Sequence, residues 1–159
     1  MSLQCRVVAK DPGAPQAFLS GAIDENAALE KIFAELTAAA AEGGMTVFMQ
    51  GVSRINSIGV RRWVQEIDRF TRNRKIRIEG LSYPLSMQAN NVANIMGTAE
   101  VISCMAPYFC GLCEANRMVL VTRSDVAASP LPPAKACGDC GSPMEFDEVD
   151  EYFHFLRRP

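Results

Sequence analysis

The chain has 159 residues, 48% of them hydrophobic and 21% charged, with a formal net charge of −2 and a pI near 5.5. That balance is ordinary for a soluble globular protein and excludes the disordered, collagen-like and coiled-coil classes. The sequence carries no basic surplus of the kind that draws nucleic acid or an anionic membrane and no run of about 18 uncharged apolar residues. The opening Met1–Arg6 has no apolar core of a secretion signal, so a cytoplasmic protein with reduced cysteines and no membrane span is expected.

Leu3, Cys5, Val7 and Ala9 alternate with their neighbours as in a strand. Asp11-Pro12-Gly13 signals a turn, and Ala17–Ile23 reads as a second strand, making an antiparallel hairpin. Leu29, Ile32, Phe33, Leu36 and Ala40 then fall on one helical face, with Asp24 as N-cap and Gly43-Gly44 as the stop. Met45–Met49 is apolar throughout, as in a strand covered on both faces. Ser57 caps a second helix with the stripe Val60, Trp63, Val64, Ile67 and Phe70. Lys75–Glu79 alternates again. A third helix carries Leu85, Ala89, Val92, Ala93 and Met96, with Gly97 at C′, and Val101–Met105 closes the set as a strand. The order β-β-α-β-α-β-α-β implies an α/β fold with a mixed, largely parallel sheet.

Charge and grammar change after Met105. Residues 1–105 hold 11 basic and 10 acidic side chains, while residues 106–159 hold 5 and 8. The second stretch contains the Pro-rich run Ser129–Pro133 and only short apolar runs, Met118–Thr122 and Glu151–Leu156, read as strands. Two domains are expected, 1–105 and 106–159, the latter a small β-rich ribbon.

Within the first stretch, Gly21-Ala22-Ile23-Asp24 and the turn Asn56-Ser57-Ile58-Gly59-Val60 resemble the motifs of the STAS family, the bacterial anti-sigma-factor antagonists and their relatives in sulphate transporters. The family pattern has Gly-x-Leu/Ile-Asp before the first helix and Asp-Ser-Ser-Gly-Leu at the start of the second. Asn56 and Ile58 stand where that pattern has Asp and a second Ser. The resemblance implies a STAS-like domain over roughly residues 3–105 that binds a protein partner, a kinase-type or sigma-regulatory protein, and is switched by phosphorylation of Ser57. A phosphate there would meet the free N–H groups and positive dipole end of a helix. Asn56, Ile58, Gly59, Arg61 and Arg62 are the candidate partner surface, and a capping Ser57 worth about 1 kcal/mol is the simpler alternative.

Cys110-Gly111-Leu112-Cys113 and Cys137-Gly138-Asp139-Cys140 form two Cys-x-x-Cys pairs. Each can chelate through a tight turn, and four thiolates suit the tetrahedral preference of Zn²⁺, so Cys110, Cys113, Cys137 and Cys140 are expected to hold one structural zinc per chain in a zinc ribbon. A thiol-redox protein using these pairs and a nucleic-acid-binding ribbon are the alternatives. Cys5 and Cys104 read as small buried residues and His154 as a strand residue. Arg61, Arg62, Arg69, Arg72, Arg74, Lys75 and Arg77 make either a solvated helix face or a docking patch for an acidic protein or a second copy. The single His154 stands in no recognisable Ser/His/Asp motif. The expected function is therefore a non-enzymatic regulatory or scaffolding interaction module, with nucleic acid and membrane disfavoured as partners.

Overall fold

In the computed structural model, which describes residues 1–40 and 43–158, β1 (Gln4–Val8) and β2 (Gln16–Ile23) form the expected antiparallel hairpin. Helix α1 (Leu29–Ala40) buries all five residues of the expected stripe. Its expected cap is corrected, because the helix starts well beyond Asp24 and that carboxylate is engaged elsewhere. One Asp24 oxygen accepts from the Asn26 N–H (3.0 Å), closing a tight local turn, and the other accepts from Arg54 Nη2 (2.9 Å). Gly44 has the positive φ (+88°) expected of a stop, while the chain between residues 40 and 43 lies outside the described residues.

The strand expected over Met45–Met49 continues to Ile55 as β3 (Met45–Ile55). Its second half is polar and carries no alternation, because the pairing with β2 slips between Phe18 and Ser20 and again between Gly21 and Ala22. Helix α2 (Ser57–Thr71) then buries Trp63, Ile67 and Phe70, with Val60 and Val64 half-buried beside them. The Trp63 ring meets Phe33 edge-on at 5.2 Å, and its Nε1 donates to the Ile95 carbonyl at 2.8 Å. This buried indole, with its one polar atom satisfied, centres the packing between α1 and α2. β4 (Ile76–Glu79) and β5 (Glu100–Val101) complete a five-stranded sheet of order β1-β2-β3-β4-β5, in which β2 to β5 run parallel.

Helix α3 (Tyr83–Ala89) is shorter than the expected stripe to Met96. It stops at Asn90, whose side-chain amide turns away to clamp the C-terminal segment. Nδ2 donates to the carbonyls of Glu151 (3.0 Å) and Tyr152 (3.1 Å), and Oδ1 accepts from the Phe155 N–H (3.0 Å). Residues 90–98 follow as turns, with Asn94 and Gly97 at positive φ.

The strand expected over Val101–Met105 is two strands in two sheets. Val101 pairs with Ile78 in the first, whereas β6 (Ser103–Cys110) is the centre of a second. β6 pairs antiparallel with β7 (Ala115–Thr122) and β9 (Pro143–Phe146), and β8 (Lys135–Ala136) lies outside β9, giving the order β7-β6-β9-β8. The strand expected over Glu151–Leu156 is instead a 3₁₀ turn (Asp150–Phe153) leading into α4 (His154–Arg157). Tyr152, Phe153, Phe155 and Leu156 are buried, a helical spacing that a short aromatic run disguises as alternation.

The expected division between residues 105 and 106 falls inside β6. Buried residues from both stretches belong to one cluster, from Leu3 to Leu156. The Leu81 N–H donates to the Ser103 carbonyl, and the Met105 N–H to that of Leu81. The architecture is thus mixed α/β, a mixed five-stranded sheet beside an antiparallel four-stranded one. No helix among the described residues is long and apolar enough to cross a membrane.

Candidate metal centre

Two hairpin ends deliver the four cysteines. Cys110 is the last residue of β6, and the turn Gly111–Glu114 returns the chain into β7, with Glu114 in the left-handed region (φ 49°). The turn brings the Cys113 N–H to 3.4 Å from Cys110 Sγ, an N–H···S contact across the knuckle. Cys137 follows β8, and its turn closes through Gly141 N–H to the Cys137 carbonyl and Cys137 N–H to the Ser142 carbonyl, both 2.8 Å. Because β9 pairs with β6 through Phe109 and Glu145, the second turn is carried to the same end of the sheet as the first. The Tyr108 hydroxyl anchors the Pro-rich connection by donating to the Pro133 carbonyl (2.9 Å).

The four sulfurs lie within 4.8 Å of one another. Tetrahedral bonds of about 2.3 Å place thiolate sulfurs about 3.8 Å apart, and the contacts Cys110–Cys140 (3.5 Å) and Cys113–Cys137 (4.0 Å) bracket that separation. The donor set fits a soft or borderline divalent metal ion. Cys110 and Cys137 are buried, Cys113 is half-buried and Cys140 exposed, so the site sits at the rim of the second sheet. Hydrogen bonds from the Ser142 backbone and side chain draw the Cys140 thiol down to about 6, while the sulfurs of Cys140 and Cys110 push Cys113 up to about 12. Four thiols this close cannot all ionise without a cation between them. Arg117 on β7 ion-pairs with Asp139 between the second pair of cysteines and feels the Cys137 and Cys113 sulfurs, placing a positive charge beside the cluster. Arg117 and Ser142 are the residues that motif reading missed, since neither lies inside a Cys-x-x-Cys.

The other sulfurs stand apart from this site. Cys104 is buried as expected, whereas Cys5 is only half-buried. Burial pushes the Cys5 thiol up to about 11 and the Cys104 thiol up to about 12, which disfavours the reactive thiolate at both. His154 is exposed on α4, not in a strand.

The second candidate region is the turn from β3 into α2. Asn56, not Ser57, is the N-cap, its Oδ1 accepting from the Gly59 N–H at 2.8 Å. Its Nδ2 donates to Glu25 (2.7 Å), fixing the amide from both sides. Ser57 is the first residue of the helix and exposed. Gly59 lets α2 close on β2, since a Cβ there would lie 2.0 Å from the Ile23 carbonyl oxygen. Asp24, Glu25 and Glu30 are held below the usual carboxylate range, Asp24 chiefly by the Arg54 hydrogen bond, Glu25 by Asn56 and Glu30 by a backbone N–H. Arg62 crosses to Glu30 (3.2 Å) and to the Glu25 carbonyl (3.1 Å), while Arg61 and Ile58 face solvent. Further along α2, Arg69 and Arg72 pair with Glu66 and Asp68 along the helix, and Arg74 donates to the Phe70 carbonyl (2.8 Å). Much of the basic stretch is therefore a helix face with its own counter-charges.

No family model matches the chain, and no curated protein matches it.

Proposed function

We propose that the chain is a non-enzymatic protein-interaction module, STAS-like in its first hundred residues, whose second sheet is closed by one structural zinc. The observation that carries this reading is the convergence of Cys110, Cys113, Cys137 and Cys140 Sγ atoms within 4.8 Å. When the protein fills all four tetrahedral positions, no position is open for water or substrate, which favours a structural over a catalytic metal. Zinc bound there would tie the β6–β7 turn to the turn between β8 and β9. Beside the site, Phe109, Met118 and Leu120 are exposed on one face of the β6–β7 pair, with Leu112 exposed at its tip. Such a patch supports contact with another protein.

Regulation at Ser57 rests on the resemblance and on its surroundings. A phosphate on this exposed hydroxyl would add about −1.5 to −2 charge at the start of α2, within the setting of Arg54, Arg61 and Arg62. The test has two independent parts. Elemental analysis in thiol reductant should find one zinc per chain in the parent and none in Cys137→Ser; a metal-free parent overturns the structural-zinc reading and returns the cysteines to redox chemistry. For the switch, Ser57→Asp should weaken binding of a partner isolated from the native extract at least tenfold, with Ser57→Ala binding like the parent. Equal binding by Ser57→Asp would make the domain a constitutive scaffold.

A further inference from the structure

A cavity of about 440 Å³ opens where the turns after α3, the strand β5, Arg123 and the C-terminal α4 meet. Its walls are mixed: Val92, Met96, Val101 and Phe155 give an apolar side, and Asn94, Thr98, Glu100, Arg123 and Arg158 a polar side of about equal extent. The volume lies within the range of sites for small organic ligands, and a wall divided between apolar and charged sides suits an amphipathic one.

Arg123 is the group that gives this cavity a chemistry. Its backbone N–H is held by the Ile102 carbonyl at 2.9 Å, so the residue is fixed at the end of β7. Its Nε is buried and has no hydrogen-bond partner among the described residues. Nη1 stands 3.7 Å from Glu100 Oε1, an ion contact too long for a hydrogen bond. A guanidinium is a rigid fork of donors matched to a planar carboxylate. The Arg123 side chain is 38% exposed, and its terminal nitrogens, not the inaccessible Nε, are the donors a ligand can reach. Arg158 adds a second positive charge against the single Glu100. A monoanion is thus favoured at the polar end, and the apolar walls favour a hydrocarbon or aryl tail behind it.

We propose that this cavity binds a small amphipathic carboxylate, its head on Arg123 and its tail against Val92, Met96, Val101 and Phe155. The site draws walls from both sheets' regions, so an occupant would also stiffen the seam between them.

The probe is octanoate, titrated into the full chain by calorimetry, with acetate, 1-octanol and inorganic phosphate as comparators. Octanoate should bind saturably with a Kd below about 1 mM, at least tenfold tighter than acetate, which lacks the tail, and than octanol, which lacks the charge. Arg123→Gln should weaken octanoate at least tenfold while leaving the weak octanol binding unchanged, and Val92→Trp should weaken both by filling the cavity. Melting temperature of each variant reports whether it is folded, and the comparator series on the parent protein decides the matter should either variant fail to fold. Absence of saturable octanoate binding, equal binding of octanoate and octanol, or phosphate binding as tightly as octanoate would each overturn the proposal.

Discussion

The two sheets solve the same problem with different materials. Around the mixed five-stranded sheet, α1 and α2 lock Trp63, Phe33 and Phe70 into a cluster of edge-on rings, and burial of apolar surface does the holding. The antiparallel sheet has an aromatic knot where Tyr108, Phe146, Tyr152 and Phe153 meet. Two residues beyond Tyr108, β6 ends at Cys110 and the four sulfurs gather on two glycine-containing turns. One region is held by its apolar core, while the other adds to its aromatic cluster four sulfurs placed to share a cation. The contrast is one of chemistry at the cysteine turns and not of separate cores, since the buried residues of both regions form one cluster.

The change with the largest expected effect is loss of the proposed zinc. Structural zinc contributes about 10–16 kcal/mol of apparent binding free energy in small domains. Cys137→Ser should abolish zinc binding and expose the amides of β8, β9 and the Cys110–Cys113 turn to hydrogen exchange, while the emission of Trp63 stays that of a buried indole. A red-shifted emission in that variant would erase the contrast between the sheets. Next comes Trp63→Ala, expected to cost about 3–5 kcal/mol in chemical denaturation with zinc stoichiometry unchanged. A smaller effect is expected at the seam. Tyr152→Phe removes the hydroxyl that donates to the Met105 carbonyl at 2.7 Å, a loss of about 1 kcal/mol, and should speed exchange in both regions.

The smallest effect is a pH dependence confined to the first region. The Arg54 hydrogen bond lowers the Asp24 pKa in the folded chain. A depressed carboxylate stabilises the fold above its unfolded pKa, near 3.9, and that contribution is lost as pH falls through the folded value. Arg54 is 71% exposed on its side chain, so solvent and salt weaken the pair. Urea midpoints of Asp24→Asn and parent should therefore differ modestly at neutral pH and converge as pH falls below the usual carboxylate range, without affecting metal content.

What could be seen in the sequence follows periodicity and spacing. The stripe of α1, the burial of Trp63 and the convergence of both Cys-x-x-Cys pairs were legible because each is a local pattern with a direct spatial meaning. Tertiary hydrogen bonds were not. Asn90 ends α3 through partners more than sixty residues away, and Asp24 is drawn from a capping role by Arg54 on another strand. The second half of β3 hid behind two register slips, and α4 behind an aromatic run whose spacing only burial resolves. Arg117 and Ser142 escaped notice at the metal centre because pairing, not sequence distance, brings them to the sulfurs.

β6 has a consequence for how this chain can be taken apart. The strand passes without a linker from its bridge with Leu81 to its terminal Cys110, and the C-terminal segment is fastened to α3 by Asn90 and by Tyr83, whose hydroxyl donates to Glu148 at 2.7 Å. A cysteine ribbon held in this way is not a transferable cassette. Grafted onto another protein it would leave behind Leu81, Tyr83 and Asn90, and a cut placed ahead of residue 106 would sever a strand at the centre of its sheet. The two sheets are separable in what stabilises them but not in the chain that builds them.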